Sequence, residues 1–260
     1  MKKILIALIS IAIIFLGIWF VVPANSVQYI IEESNTDKKF SIDVSGLKKG
    51  LFYNVNIERV TLKSSGEELI SFSNIHGHIN PLNLVMLRLS LTVDGNMGGG
   101  NIAGDITIAK NRTRLRLDFK KADINGMPLF NKFVKVQGTG TVSGRYIMID
   151  DSGHLEFVTK DASFEPSMFS GIKIPLNLFN GITGSIDIKG NIVNIVSVSL
   201  EGEDIYARLK GVIKDAVMDL TMEVMPGKSY AENPIFLGEL QKYRVSTGYY
   251  MIPIKGKFFL

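Results

Sequence analysis

The chain has 260 residues, of which 46% are apolar and 21% are charged, a composition that supports a sizeable core and excludes disorder as the main state. It contains no cysteine, which excludes a disulfide framework, a cysteine nucleophile and a thiolate metal site. The net charge is +4, and Lys2 and Lys3 supply two of these charges, so the rest of the chain is too weakly basic to indicate nucleic-acid binding.

An uncharged apolar segment lies close to the N-terminus. Residues 4–22, with the sequence ILIALISIAIIFLGIWFVV, contain no charged side chain. A helix of about 20 apolar residues crosses the hydrocarbon core of a bilayer. Lys2 and Lys3 favour a cytoplasmic N-terminus, Trp19 suits the far membrane interface, and Pro23 ends the apolar span. The segment therefore predicts a single-pass transmembrane helix.

A cleaved signal peptide is the alternative interpretation. Val22 and Ala24 satisfy the small-residue rule for cleavage, but the apolar stretch is longer than the usual ~7–15 residues. We predict a membrane anchor over residues 1–24 and a β-rich domain over residues 25–260. This domain lies outside the cytoplasm in both interpretations.

Alternating apolar and polar residues characterise the rest of the chain. The clearest segments are LRLSLTV (87–93), DITIAK (105–110), RTRLRLDFK (112–120), NIVSVSLEG (194–202) and DLTMEVM (219–225). This period of two, bounded by Gly, Asn, Asp and Ser clusters, predicts antiparallel strands with one apolar and one polar face. We expect Val196, Val198 and Leu200 to share the apolar face of their strand.

Helical patterns in this part of the chain are few and short. ENPIFLGELQKYR (232–244) is the best of them, because Asn233 suits the cap and Pro234 the first helical position. EPSMFSG (165–171) is a candidate for another short turn. The predicted fold is therefore mainly β: an N-terminal transmembrane helix, then an extended, curved, groove-like antiparallel sheet with a few short helices.

A loose repeat is marked by proline followed by a branched apolar residue, at Pro81, Pro128, Pro175 and Pro234. The first two intervals are both 47 residues. Repeats of this length are typical of stacked or extended architectures. The short elements that begin at these prolines are candidates for covering the open side of the sheet.

The glycine-rich stretch DGNMGGGNIAGDITI (94–108) raises the question of phosphate binding. A phosphate-binding loop needs converging backbone N–H groups and a helix N-terminus after it. Strand patterns lie on both sides of this stretch, and no Gly-Lys-Ser/Thr follows. We therefore predict a β-hairpin whose glycines take positive φ at the turn or at a bulge, and we expect valine at Gly99 or Gly100 to harm folding or strand register.

Few residues suggest a chemical role. His76 and His78 would share one face of a strand, but no nearby carboxylate completes a metal site, which favours surface histidines. Asp150 and Asp151 are adjacent in DDSG, a common turn sequence. We predict no catalytic residue, no metal ligand and no cofactor.

The most distinctive surface pattern is the row formed by Arg112, Arg114 and Arg116. Alternate positions of a strand point to the same face. A solvated outer face is one interpretation of the row. The other is contact with an anionic partner, either lipid headgroups or an acidic protein surface.

Several stretches together carry a family resemblance. Residues 56–108 run as strand, spacer, strand, a PLNL element, a further strand and the glycine hairpin. Residues 180–213 and the ending YYMIPIKGKFFL fit the same pattern. With the N-terminal apolar segment, these stretches resemble the N protein family of the type II secretion system (GspN-type) in its delta-proteobacterial form. They are also similar to the wider AsmA-like group of envelope proteins.

The two resemblances imply two functions. The secretion family implies a non-enzymatic accessory or assembly component in the bacterial inner membrane, with its C-terminal domain in the periplasm. Its partners would be other secretion-system inner-membrane or periplasmic proteins. The AsmA-like group implies the alternative, a lipid-binding or lipid-transfer protein whose apolar β-groove holds acyl chains.

The width and shape of the sheet bear on this choice. About 14 strands at a spacing of about 4.8 Å make a sheet about 65 Å wide before twisting. Such a sheet either curls around an open apolar groove or collapses its apolar face into a closed core. Alternating faces are compatible with both shapes.

Overall fold

One antiparallel sheet dominates the fold. The computed structural model describes residues 17, 19–21, 23–33, 40–110, 112–129, 136–169, 172–231 and 240–257. Its strands are β1 (Phe40–Ser45), β2 (Lys48–Lys49), β3 (Asn54–Ser64), β4 (Glu67–Ile79), β5 (Leu89–Met97), β6 (Gly100–Ala109), β7 (Arg112–Asp123), β8 (Gly138–Ile149), β9 (Ser152–Phe164), β10 (Ser167–Phe169), β11 (Ile172–Ile174), β12 (Gly181–Lys189), β13 (Ile192–Glu201), β14 (Ile205–Lys214), β15 (Val217–Pro226), β16 (Arg244–Ser246) and β17 (Tyr249–Lys257). Its helices are α1 (Ala24–Glu33), α2 (Pro81–Val85) and α3 (Lys228–Ala231), with 3-10 turns at Leu176–Leu178 and Gln241–Tyr243.

Fifteen of the strands belong to one open sheet. Their order is β1-β3-β4-β5-β6-β7-β8-β9-β12-β13-β14-β15-β17-β16, with β2 also paired to β3. Strands β10 and β11 form a separate two-stranded ribbon. Neighbours along the chain are thus neighbours in the sheet almost throughout. The prediction of a mainly β chain, with a long antiparallel sheet and few short helices, is confirmed.

The predicted membrane anchor falls mostly outside the described residues. Of residues 4–22, only residues 17 and 19–21 are described. Among the described residues, no helix is both long enough and apolar enough to cross a membrane. After Pro23 the chain forms α1, so helical structure continues beyond the proline that ends the apolar span.

Helix α1 covers one edge of the sheet. The Gln28 side chain donates a hydrogen bond to the carbonyl oxygen of Val44 at 2.9 Å, and the Val44 N–H donates to Glu32 Oε1 at 3.1 Å. Val44 lies in β1, whose other side pairs with β3. The helix therefore satisfies edge backbone groups that would otherwise be open to pairing with another chain.

The two rows of strand ends differ in how they are connected. At one end, here the turn end, two-residue turns such as residues 150–151 and 190–191 join the strands. At the other, the loop end, three long connections span residues 124–137, 165–180 and 227–248. The long connections supply the material that covers the apolar face.

The core lies on the apolar face near the loop end. Ile124, from the first long connection, is 1% exposed, and Leu176 and Phe179, from the second, are also buried. They belong to one cluster with strand residues such as Ala207, which is fully buried. The element that begins at Pro175 thus covers the sheet as predicted.

The element that begins at Pro81 does not cover the sheet. Helix α2 and the residues after it lie at the turn end, where Leu82 is 73% and Leu87 is 87% exposed. This element was a candidate for covering the open side of the sheet, and the exposure of its described side chains does not support that role. Pro234 and most of the helix predicted over residues 232–244 lie outside the described residues.

Two local predictions are corrected by strand pairing. A bulge in β13 between Ile195 and Val198 turns Val196 off the apolar face and leaves it 47% exposed. The segment 165–171 was predicted to contain a short turn, but β10 begins within it and pairs with β11. Pairing satisfies backbone groups that an isolated helical turn leaves open.

The predicted glycine hairpin is confirmed. Gly98 and Gly99 form the two-residue turn between β5 and β6, with φ of 53° and 76°, and Met97 pairs with Gly100. Both turn positions require the left-handed conformation, which glycine adopts without a Cβ penalty. At Gly100 the constraint is steric: a Cβ atom would lie 2.4 Å from the carbonyl oxygen of Lys120.

We predict different outcomes at these two neighbouring glycines. Gly100→Val should lower the free energy of unfolding by about 3 kcal/mol, because the backbone of β7 has to move. Gly99→Asn should cost less than about 1 kcal/mol, because a side chain at Gly99 meets open space and asparagine tolerates positive φ. Urea unfolding followed by circular dichroism measures both. Equal stability of Gly100→Val and wild type would refute this account of the hairpin.

Candidate functional site

An apolar strip crosses the middle strands of the sheet near the turn end. Unlike the core residues, its side chains are only half-buried. The strip consists of Leu91 and Val93 on β5, Ile106 on β6, Leu115 and Leu117 on β7, Tyr146 and Met148 on β8, Leu155 on β9, Ile186 and Ile188 on β12, and Val193 on β13. At its margin, Leu89 and Ile108 are 37% and 44% exposed.

Strand register places the strip on one face of the sheet. Directly paired residues in neighbouring strands point to the same side. One such row consists of Val93, Gly104, Leu117, Tyr146, Leu155 and Ile186. The sheet therefore offers a continuous apolar surface from β5 to β12 that needs no side chain from elsewhere to complete it.

Two glycines near the strip provide space for aromatic rings of the adjacent strands. A Cβ atom on Gly144 would lie 2.5 Å from Phe119 Cζ, and one on Gly184 would lie 2.1 Å from Phe157 Cε1. Each ring thus lies over a glycine of the adjacent strand, its direct pairing partner. Both rings also pack against the core cluster, so they lie where the strip meets the core.

The strip carries one polar side-chain group, the hydroxyl of Tyr146. Burial raises the pKa of Tyr146 above its ordinary value near 10. The phenol is therefore neutral at physiological pH, and the strip bears no charge. Such a surface suits an apolar ligand such as a hydrocarbon chain and disfavours an ionic one.

The predicted arginine row lies on the opposite, polar face, on β7. Arg112, Arg114 and Arg116 are all exposed. Arg116 is neutralised locally, with its Nε 3.2 Å from Asp118 Oδ2. No described carboxylate lies within ion-pair distance of Arg112 or Arg114, so these two, next to the turn end, are the members available to an anionic partner.

An ionic ladder continues from Asp118 across the polar face. Arg145 Nε lies 2.5 Å from Asp118 Oδ1, and Arg145 pairs directly with Glu156 in the register. His154 then bridges two carboxylates, with Nε2 3.3 Å from Glu156 Oε1 and Nδ1 2.6 Å from Asp187 Oδ1. The ladder joins strands β7, β8, β9 and β12.

Hydrogen bonds within the ladder shift the pKa values of Asp118 and His154. The hydrogen bond from Arg145 holds the pKa of Asp118 below its ordinary value. Hydrogen bonds to Asp187 and then Glu156 raise the pKa of His154 above its ordinary value. Opposite charges therefore balance across the strands, which favours a role in register over a role in chemistry.

The other histidines and the paired aspartates have structural partners. As predicted, His76 and His78 share one exposed face, and their Nδ1 atoms lie 2.7 and 2.8 Å from asparagine oxygens of β3. Asp150 and Asp151 form the turn between β8 and β9, as their sequence indicated. The Thr113 N–H donates to Asp150 Oδ1 at 2.9 Å, which ties that turn to β7.

The described residues show no recognisable centre for bond-making chemistry. No group of three or more His, Asp and Glu side chains among them is arranged to hold a metal ion. Glu223 is 6% exposed, but its hydrogen bond with Lys210 lowers its pKa and keeps it ionised. The apolar strip, as a binding surface, is therefore the best-supported site in this part of the chain.

The sequence did not predict a cluster around Trp19. Its Nε1 donates to the carbonyl oxygen of Gly50 at 2.9 Å, its ring centroid is 4.9 Å from that of Tyr53, and Lys49 Nζ lies 4.4 Å above its ring. Trp19 is only 6% exposed. The apolar and aromatic sequence LFY at 51–53 was the signal that could have indicated such a cluster. The cluster holds Trp19 against the turn before β3.

Comparisons with known proteins identify no relative of this chain. No family model, no curated protein and no solved structure gives a significant match.

We predict a pH-dependent contribution of the ladder to stability. Because the folded-state pKa of His154 is raised, its stabilising effect is fully present below the unfolded-state pKa, near 6.5, and is lost as pH rises through the folded-state value. His154→Gln should therefore lower the Tm more at about pH 5.5 than at about pH 9.

Thermal unfolding by circular dichroism at the two pH values measures this difference. Asp187→Asn removes the first partner of His154 and should abolish most of the pH-dependent part. A Tm loss for His154→Gln that is the same at both pH values would show that the histidine acts by packing alone.

Proposed function

We propose that the protein is a non-enzymatic lipid-binding protein whose apolar strip holds acyl chains. The observation that carries this proposal is the half-burial of a continuous apolar surface in a sheet whose buried core lies near the other end. A face that only completed a core would be expected to exclude water along its whole length. In this proposal the sheet curves around the strip and forms an open groove.

The dimensions of the strip suit a hydrocarbon chain. It crosses seven neighbouring strands, β5 to β9 with β12 and β13, and a strand spacing of about 4.8 Å gives it a width of roughly 29 Å. The hydrocarbon core of a bilayer is about 30 Å thick, so one acyl chain extends about 15 Å. One chain fits along the strip with room for a second.

The proposed location follows from the N-terminal sequence. Residues 4–22 carry no charge and follow Lys2 and Lys3, a pattern that favours an inner-membrane anchor with the following domain on the outer side. A lipid-binding sheet held there would receive lipid from the bilayer that anchors it. We therefore propose the bacterial inner membrane, with the domain in the periplasm.

A second candidate is an accessory or assembly component of the type II secretion system, as the family resemblance implies. The structural observation in its favour is the strand at the second edge of the sheet. All three residues of β16 are exposed, including Val245 at 60%. An exposed edge strand can accept a strand from a partner protein.

The lipid proposal predicts that substitutions at two residues of one strand have different effects on lipid retention. Leu155 lies in the strip, whereas Val158, on the polar face of β9, is 43% exposed. Leu155→Gln should reduce the lipid retained by the purified chain about fivefold to tenfold, because lipid would bury only the exposed half of this leucine, roughly half of the 1.5–3 kcal/mol for full burial. Val158→Gln should leave it unchanged.

Native mass spectrometry of the detergent-purified full chain measures the retained lipid, and circular dichroism confirms that both variants fold. Wild-type protein without co-purifying lipid would count against the proposal. So would equal lipid retention by Leu155→Gln and Val158→Gln.

The secretion-system candidate predicts a partner at β16. Val245→Lys should reduce severalfold the recovery of secretion-system membrane proteins with the tagged full chain, because an edge lysine opposes strand addition. Val245→Thr keeps β-branching and should preserve the recovery. Capture from crosslinked membranes, read by mass spectrometry, tests this. Wild-type chain that recovers no secretion component would exclude the candidate.

A further inference from the structure

We propose that the turn end of strands β2 to β6 docks on the surface of an anionic lipid bilayer. This surface, here the rim, consists of the turn at residues 50–53, the loop at residues 80–88, and Phe20 and Val21 beside them. The proposal concerns how the domain sits on a membrane, and its observations are separate from those that support lipid binding in the strip.

Large apolar side chains are concentrated at the rim. Leu51 and Phe52, in the turn before β3, are 61% and 64% exposed. In the loop between β4 and β5, Leu82, Met86 and Leu87 are 73%, 66% and 87% exposed. Clusters of exposed large apolar side chains mark surfaces that contact a protein or a membrane.

The two loops are held close together. The Ile79 N–H donates to the Tyr53 carbonyl oxygen at 3.0 Å, and the Asn80 N–H donates to that of Ser90 at 2.9 Å. The strands β3, β4 and β5 are consecutive in the sheet, so the two loops are about 10 Å apart. They can therefore enter the same membrane interface together.

Basic side chains flank these apolar residues. Arg88 follows Leu87, Lys110 lies at the turn after β6, and Arg112 and Arg114 follow at the start of β7. All four are exposed. Basic residues near an anionic membrane surface contribute about 1 kcal/mol each, and their charge favours lipid headgroups over an uncharged protein surface.

The N-terminal segment supplies the strongest argument for a bilayer as the partner. Phe20 and Val21 are 63% and 80% exposed, and Phe20 lines the same shallow cavity as Leu51. Residues 4–16 precede them in the sequence and are apolar and uncharged. In the sequence, the most apolar stretch of the chain thus lies directly before residues that belong to the rim.

The rim also lies at the turn end of the sheet, where the margin of the apolar strip is exposed. Leu89 and Ile108, at the margin of the strip, pair with each other next to the loop that carries Leu87. A domain docked by its rim would place this margin at the headgroup level. Docking by the rim would therefore shorten the path of an acyl chain between bilayer and strip.

A single-cysteine experiment tests the proposal, since the chain has no native cysteine. Phe52→Cys and Leu87→Cys are each labelled with an environment-sensitive NBD dye in the full chain and reconstituted into phosphatidylethanolamine–phosphatidylglycerol vesicles. The matched control is Val196→Cys, which is 47% exposed on β13, away from the rim. We expect a blue shift and quenching by bromine-labelled lipid at positions 52 and 87, severalfold greater than at position 196.

Each other outcome overturns the proposal. Dyes at positions 52 and 87 that stay in water show that the rim does not meet the bilayer. A blue shift without lipid quenching shows that protein covers the rim, either residues 4–16 or a second copy. Quenching that survives Arg88→Glu with Lys110→Glu in anionic vesicles contradicts the proposal that the rim recognises an anionic surface.

A further variant separates the rim from the strip. Phe52→Ser with Leu87→Ser should lose the lipid quenching at a reporter cysteine at Leu51, yet keep the lipid retained in the strip. Loss of retained lipid without loss of quenching would instead locate the bound lipid at the rim, which contradicts the proposed function and not the docking.

Discussion

The structure depends on removing the apolar face of one long sheet from water with very few helices. At the loop end, three long connections fold over the sheet, so that Ile124, Leu176 and Phe179 are buried with the strand residues. At the turn end, two-residue turns provide no such cover. The free energy gained by hydrophobic burial is proportional to the apolar area removed from water. In the proposed function, a bound apolar chain would gain this free energy at the uncovered part of β5 to β13.

Side chains on the polar face help to determine the register between neighbouring strands. A shift of one residue in register would move every apolar side chain to the other face. The ladder from Asp118 to Asp187 opposes such a shift across β7, β8, β9 and β12, because its hydrogen bonds join side chains of different strands. Ring-over-glycine contacts, such as Phe157 over Gly184, fix the same register from the apolar side. A broad sheet with few covering helices therefore keeps one alignment.

The sequence predicted the strands because alternation depends only on neighbouring residues. Leu220, Met222 and Val224 are buried as their pattern indicated, and the glycine turn is at the predicted place. Val196 was misplaced, because a bulge depends on the partner strand. Of the predicted arginine row, the sequence could not show that Arg116 would pair with Asp118. The apolar strip was not predictable as a site, since its half-burial depends on which connections are long.

The two ends of the sheet differ in how much apolar surface they expose. Helix α1 and the Trp19 cluster hold the N-terminal segment against β1 to β3, at the same end as the exposed loops. At the opposite end, Tyr250 and Val224 are buried in the core cluster. Exposed Phe20 and Val21, the uncovered apolar strip and flanking arginines thus lie at one end of the sheet. In the proposed docking, a bilayer would remove the exposed apolar side chains of the rim from water at a single surface, which a domain suspended in water cannot do.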